Sequence, residues 1–249
     1  MLSRTFLNCE ARLASKLKNR NINVAPQARR NLKYEVELLI FDLDGTLVDT
    51  RRDLANAVNY ALQQTGRNEI ALETVVSYVG DGTRKLLART LGSVTEAELE
   101  IFHHHFRLHY FDHIADFSRP YAGMFEILEH FSTKKKAVLT NKPQEFMEAL
   151  FRRLDLVRHF DIAVGGQAGL KLKPDPEAIL KILNHLNVQP AHAVMIGDSE
   201  NDILAGKAAG VMTCAVTFGF RPKENLLPLH PDFVANGPDE LKNFFSKES

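Results

Sequence analysis

The sequence predicts an α/β protein: a doubly wound, Rossmann-like parallel sheet carrying an inserted all-helical cap subdomain. Three observations carry this expectation. Short, wholly apolar runs recur along the chain and end in polar residues, as strands buried on both faces do. Helical patterns separate these runs, which is the alternation of βαβ units. One interval after the first run is helical throughout, has no proline between Pro26 and Pro120, and is far longer than one βα connection requires.

In chain order, residues 1–34 form a basic N-terminal extension with eight Lys/Arg against Glu10 alone. Phe6, Cys9, Leu13 and Leu17 fall at helical spacing, and Arg12, Lys16 and Arg20 step by four on another face. Such a segment suits a solvated extension, an organellar targeting signal, a membrane-surface contact or a partner helix. The first strand is Val36–Phe41. The helical interval follows over residues 50–118, with candidate helices at Arg51–Gln64, Leu72–Tyr78, Thr83–Leu91 and Thr95–Phe117. Further strands are expected at Lys136–Asn141, Phe160–Gly165, Ala193–Asp198 and Val211–Phe218, with a weaker one near Phe233-Val234. Helices at Phe125–Phe131, Glu145–Leu154, Pro176–Leu186 and Asp202–Ala209 lie between the strands. The core is therefore expected to comprise residues 35–49 and 119–249.

Composition excludes several function classes. With 249 residues, 45% hydrophobic and 25% charged, the chain can bury a full core without staples. No stretch approaches the ~20 apolar residues of a membrane span. Cys9 and Cys214 alone cannot make a disulfide framework, and they suit a reducing, cytoplasmic setting. The net charge of zero leaves an acidic body behind the basic extension, so that body is a poor nucleic-acid binder and any polyanion affinity is expected in the extension.

The strongest chemical signal is Asp42-Leu43-Asp44-Gly45-Thr46, at the end of the first strand. Carboxylates at i and i+2 share one face of an extended chain, and ligands of doubly wound folds bind at carboxyl strand ends. Gly197-Asp198-Ser199-Glu200-Asn201-Asp202 follows a later strand, and a helix starting there would stack Asp198 on Asp202. Asp42, Asp44 and Asp198 converging from two strand ends demand a cation, and Mg²⁺ suits few carboxylates plus water. Thr140-Asn141 ends another strand, where a hydroxyl and backbone N–H groups would hold a phosphate. Lys173 sits in a Pro-stiffened loop, Lys171–Pro176.

In this order the four motifs resemble those of the haloacid dehalogenase-like hydrolases, and specifically the phosphoglycolate phosphatase group. The resemblance runs from about residue 36 to the end. It implies Asp42 as nucleophile, Asp44 as general acid/base, and Thr140 and Lys173 as ligands of the transferring phosphoryl group. It also implies Mg²⁺ held by Asp42, the Asp44 carbonyl and Asp198, with Asp202 in support. The residue types agree: a carboxylate nucleophile splits hydrolysis into two easier steps through an aspartyl-phosphate. Asp44 separates the chain from dehalogenases. The absence of any Lys between Lys33 and Lys85 separates it from phosphonate-cleaving members, and Arg51–Asn56 lacks the mutase pattern.

Tyr78–Arg89 resembles the specificity loop of phosphoglycolate phosphatases. Thr46, Asn141, Gly80, Arg84 and Arg89 are the candidate substrate ligands, with Arg84 or Arg89 gripping a distal carboxylate and Asp81 turned to solvent or capping the helix. The expected partner is a small anionic phosphate ester, most simply 2-phosphoglycolate, with monomer and dimer both open. The competing readings are a pyrophosphatase, a sugar-phosphate phosphatase, and a scaffold acting through the basic extension. His105, His109 and His113, spaced by four, read as one packing face of a helix, and Cys214 as a core thiol.

Overall fold

The computed structural model describes residues 34–166 and 169–246; the basic extension up to Lys33 lies outside them. β1 (Leu38–Phe41) leads to a two-residue strand, β2 (Val48–Asp49). The helical insertion follows as α1 (Arg51–Gln64), α2 (Leu72–Tyr78), α3 (Thr83–Leu91) and α4 (Glu96–Asp112). The chain returns through β3 (Arg119–Pro120) to α5 (Met124–His130), β4 (Lys135–Pro143), α6 (Gln144–Arg153) and β5 (Ile162–Gly166). Next come α7 (Glu177–Leu186), β6 (Ala193–Gly197), α8 (Glu200–Ala209) and β7 (Met212–Val216). A one-turn α9 (Lys223–Leu226), β8 (Phe233–Ala235) and α10 (Leu241–Phe244) complete the described chain.

Six strands form one sheet in the order β5-β4-β1-β6-β7-β8, and every neighbouring pair is parallel. The alternation of side chains along β1 divides the core in two. Leu39 and Phe41 join one apolar cluster with α5, α6 and the helical insertion, while Leu38 and Ile40 join another with α7 and α8. All four are fully buried, each stabilising the fold by roughly 1.5–3 kcal/mol. The first cluster runs without a break from the sheet into the insertion, through Leu54, Val58, Phe102 and Phe106. From β1 the chain builds outward to β4 and β5 and then returns to β6 on the other side. The strand order therefore switches beside β1, where a crevice opens at the carboxyl ends.

Two features differ from the sequence reading. The helix expected to continue to Phe117 ends at Asp112. The buried carboxylate of Asp53 in α1 captures the backbone N–H groups of Phe117 (3.1 Å) and Ser118 (2.7 Å) and the Ser118 hydroxyl (2.7 Å), which holds that stretch out of the helix. β2 and β3 form a small antiparallel ribbon, pairing Val48 with Pro120 and Asp49 with Arg119, where the chain leaves and rejoins the core. Two residues per strand are too few for alternation to register.

Candidate active site

Three aspartates converge beyond the ends of β1 and β6. Asp42, Asp198 and Asp202 are buried, and each offers a carboxylate oxygen within 4.8 Å of the others. Lys173, itself buried, lies against two of them. Its Nζ donates to Asp42 Oδ1 (2.8 Å), Asp202 Oδ1 (2.6 Å) and the Leu139 carbonyl (2.7 Å), which uses all three ammonium protons. The Asn141 side chain fixes the Lys173 loop. Its Oδ1 accepts from Lys173 N (2.8 Å), and its Nδ2 donates to the carbonyls of Lys173 (2.9 Å) and Gly80 (2.8 Å).

Asp198 is gripped from both sides. Oδ1 accepts from the Thr46 hydroxyl (3.0 Å) and Oδ2 from Phe220 N (2.7 Å). This approach requires glycine in the β1 turn: Gly45 has φ +87°, and a Cβ there would stand 2.3 Å from Asp198 Oδ2. Gly219 is under the same constraint, its Cβ position falling 2.4 Å from the Gly45 carbonyl. α8 begins at Glu200, so Asp198 precedes it and is not stacked on Asp202 as a helical pair. Asp202 instead accepts from Ser199 N (3.0 Å) and Oγ (2.6 Å), closing the start of the helix.

The electrostatics of this group favour a cation. Burial pushes the Asp42 carboxyl up to about 7, with the Asp202 and Asp44 charges adding to it and Lys173 opposing. Asp198 is pushed up to about 8 by burial and then by the charges of Asp42 and Asp202. Burial acts to lower Lys173, but the Asp202 and Asp42 charges outweigh it and raise the ammonium to about 12. One cation thus faces three carboxylates. Asp202 is already paired with the Lys173 ammonium, whereas Asp198 meets only neutral donors and Asp42 bonds Lys173 through Oδ1 alone. Asp42 and Asp198 are therefore the better placed to meet a hard divalent ion.

Asp44 is not part of this cluster. Its carboxylate turns the other way, with Oδ1 accepting from the Thr50 hydroxyl (2.6 Å) and from Lys142 Nζ (2.9 Å), and Oδ2 from the same Nζ (3.2 Å). Lys142 is buried and also donates to the Tyr110 hydroxyl of α4 (2.7 Å). A cavity of about 40 Å³, on the scale of a few water molecules, lies between these groups and the helical insertion. Asp42, Asp44, Thr140, Lys142, Lys173 and Asp198 form its polar side, and Leu54, Val79, Gly80, Thr83 and Leu86 face them.

Of the residues expected from sequence, Asp42, Asp44, Thr140, Asn141, Lys173, Asp198 and Gly80 line this cavity. Four do not reach it. Asp202 stands behind Lys173, holding its ammonium. Thr46 is fully buried behind Asp198 and gives that residue its hydroxyl proton. Arg84 pairs with Glu96 and Glu100 of α4, and Arg89 pairs with Asp81 and the Tyr78 carbonyl (3.2 Å). Both guanidiniums are neutralised within the helical insertion itself, so neither is presented to a ligand. Asp81 also accepts from Asn201 (2.8 Å) and does not cap α3. Lys142, Phe220 and Arg221 also line the cavity, and the sequence reading missed them. A lysine at the end of an apolar strand was the available signal for Lys142. Arg221 donates to the carbonyls of Ser77 (2.7 Å) and Val79, a partnership no spacing reveals. The α4 histidines pack: His109 lies between Tyr60 and His113, with ring centroids 4.4 Å apart in each case.

Comparison with known proteins agrees with this geometry. The haloacid dehalogenase-like hydrolase profile matches residues 39–216. The phosphoglycolate phosphatase of Aquifex aeolicus is 34% identical over 209 residues, covering 83% of this chain and 95% of its own. Phosphoglycolate phosphatase 1 of Pseudomonas aeruginosa is 37% identical over 216 residues, covering 82% and 78%. The crystal structure of a predicted phosphoglycolate phosphatase from Haemophilus somnus 129PT superposes with a TM-score of 0.79 at 27% identity, over 84% of this chain and 97% of that one.

Proposed function

We propose that this chain, which belongs to the haloacid dehalogenase-like hydrolase family, is a Mg²⁺-dependent phosphatase that converts 2-phosphoglycolate to glycolate and phosphate. The observation that carries the reading is the buried Asp42–Lys173–Asp202 array clustered with Asp198 beside a small cavity. An Asp42 oxygen attacks phosphorus as the bond to the bridging oxygen breaks, giving an aspartyl-phosphate. Asp44 protonates the departing alkoxide, then takes the proton of the water that attacks phosphorus in the second step. Lys173 holds Asp42 in place and balances charge on the phosphoryl oxygens, and the Thr140 hydroxyl and nearby backbone N–H groups cradle them. Asp42 and Asp198, with the Asp44 carbonyl, would hold Mg²⁺, and Asp202 would keep Lys173 beside them. When bound, Mg²⁺ supplies positive charge to the phosphoryl oxygens as they gain charge.

Residues 50–118 act in this reading as a cap over the site, with Leu54, Val79, Gly80, Thr83 and Leu86 facing the carboxylates. The names of the relatives point to the same substrate. Cys214, a buried thiol, suits a cytoplasmic setting. Among the described residues no helix is long and apolar enough to cross a membrane. The test is a Mg²⁺-supplemented panel of 2-phosphoglycolate, hexose phosphates and pyrophosphate. The largest kcat/KM is expected on 2-phosphoglycolate, and a preference for either of the others overturns the assignment.

A further inference from the structure

With Arg84 and Arg89 turned away from the cavity, the residue that would recognise an acidic leaving group has to be sought on its wall. Two cations besides Lys173 line that wall, Lys142 and Arg221. Arg221 is held by the carbonyls of Ser77 and Val79 and pairs with Glu200 at 3.6 Å. Lys142 is held instead by Asp44 itself and by one neutral hydroxyl. Its Nζ contacts Asp44 at 2.9 and 3.2 Å and the Tyr110 hydroxyl at 2.7 Å, and it lies 4.7 Å from the Tyr110 ring centroid. Burial, followed by the charges of Asp44 and Asp53, raises the Tyr110 phenol well above its ordinary range, so it remains a neutral hydroxyl beside the ammonium. These three acceptor atoms match the three N–H donors of an ammonium, and the contact to Asp44 Oδ2, at 3.2 Å, is the longest and weakest of them.

We propose that Lys142 is the specificity-determining residue of this enzyme, the N–H of its long Asp44 Oδ2 contact turning to the carboxylate of the leaving group. The inference rests on the phosphatase reading above and follows from connectivity. Asp44 must touch the bridging oxygen to protonate it. The carboxylate carbon of 2-phosphoglycolate is two bonds from that oxygen, so the carboxylate oxygens lie about 3 Å from it. A cation in contact with Asp44 is therefore within reach of those oxygens as well. A sugar phosphate places a neutral carbon at that position, and the buried ammonium gains nothing from it. Tyr110 reaches Lys142 from α4, so the helical insertion contributes to specificity by setting the position of a core cation.

The experiment compares kcat/KM on 2-phosphoglycolate and on its neutral isostere, O-phosphoglycolamide, for the full chain with Mg²⁺. Wild type is expected to favour the acid, and Lys142→Met to shrink that ratio about ten- to a hundred-fold, the worth of one charge-assisted hydrogen bond. Any effect of the substitution on Asp44 slows both substrates and cancels in the ratio. Should Lys142→Met fail to fold, Tyr110→Phe removes the hydroxyl that positions Nζ and should lower the ratio a few-fold, through KM for the acid. A wild-type enzyme indifferent to the carboxylate would overturn the 2-phosphoglycolate reading itself. A wild-type preference that survives both variants, or that collapses in Arg221→Gln instead, would overturn the role of Lys142 alone.

Discussion

Replacing Lys173 with methionine keeps the length of the side chain and removes the only ammonium among three buried carboxylates. Three hydrogen bonds go with it, two of them to Asp42 and Asp202 at 2.8 and 2.6 Å. Breaking a buried ion pair by deleting one partner costs about 3–5 kcal/mol, because the surviving charge has neither water nor a counter-ion. Against a total stability of ~5–15 kcal/mol, that is a large share. Urea denaturation in chelator should show it as a lower midpoint at unchanged slope. The double variant Lys173→Met/Asp202→Asn removes one uncompensated charge and should recover ~1–3 kcal/mol, a coupling of the size that contacting residues show. Added Mg²⁺ should also recover part of the loss in Lys173→Met, since a divalent ion restores positive charge to the same carboxylates. A single variant within 1 kcal/mol of wild type, or a double variant less stable than the single, would show that the carboxylates do not depend on Lys173.

Asp42→Asn should abolish acid-stable phosphoenzyme in rapid-quench labelling, while Asp44→Asn should retain labelling and lose ~10²–10⁴-fold in turnover; normal labelling of the first variant would refute the assignment. Asp42 and Asp198 are raised from 3.8 to about 7 and about 8, so the metal-free folded chain holds more protons than the unfolded one across that window. Their contribution to stability is present at low pH and is lost as pH rises through 8. Mg²⁺ competes with those protons, and the Tm increment it gives should therefore grow from pH 6 to 8.5; a constant increment would contradict this. Asp53→Ala strips the acceptor from the Phe117 and Ser118 N–H groups and should destabilise by about 3 kcal/mol in urea, with Asp53→Asn intermediate; an Ala variant of wild-type stability would mean those N–H groups find other partners.

Much of this arrangement can be read from the sequence because its parts are local. Asp42, Asp44 and Asp198 follow apolar runs directly, so the strand and its polar terminus are a single pattern in the chain. Lys173 is legible only through its order among the motifs, for nothing in Lys171–Pro176 says that its ammonium reaches Asp42. The failures all concern choice of partner. Arg84 and Arg89 look free in the sequence, yet Glu96, Glu100 and Asp81 lie closer than any ligand. Lys142 becomes part of the site only when α4 brings Tyr110 beside β4, 32 residues away along the chain. The β2–β3 ribbon joins segments about 70 residues apart, and Asp53 binds Ser118 at a similar remove, beyond what periodicity can report.

The Asn141 amide behaves as a surrogate peptide unit. It exchanges an N–H and a C=O with the Lys173 backbone as an adjacent strand would, and thereby adds a side-chain rung beside β4. Its second amide proton goes elsewhere, to Gly80 in the helical insertion. Of the three Asn141 bonds, an outward swing of that insertion would break only this last one and leave the rung closed. The insertion is thus mechanically uncoupled from the anchor: its helices can part from the cavity without disturbing the register of the lysine that restrains Asp42. Aspartate at position 141 would have no proton for either carbonyl, so the uncoupling depends on an amide.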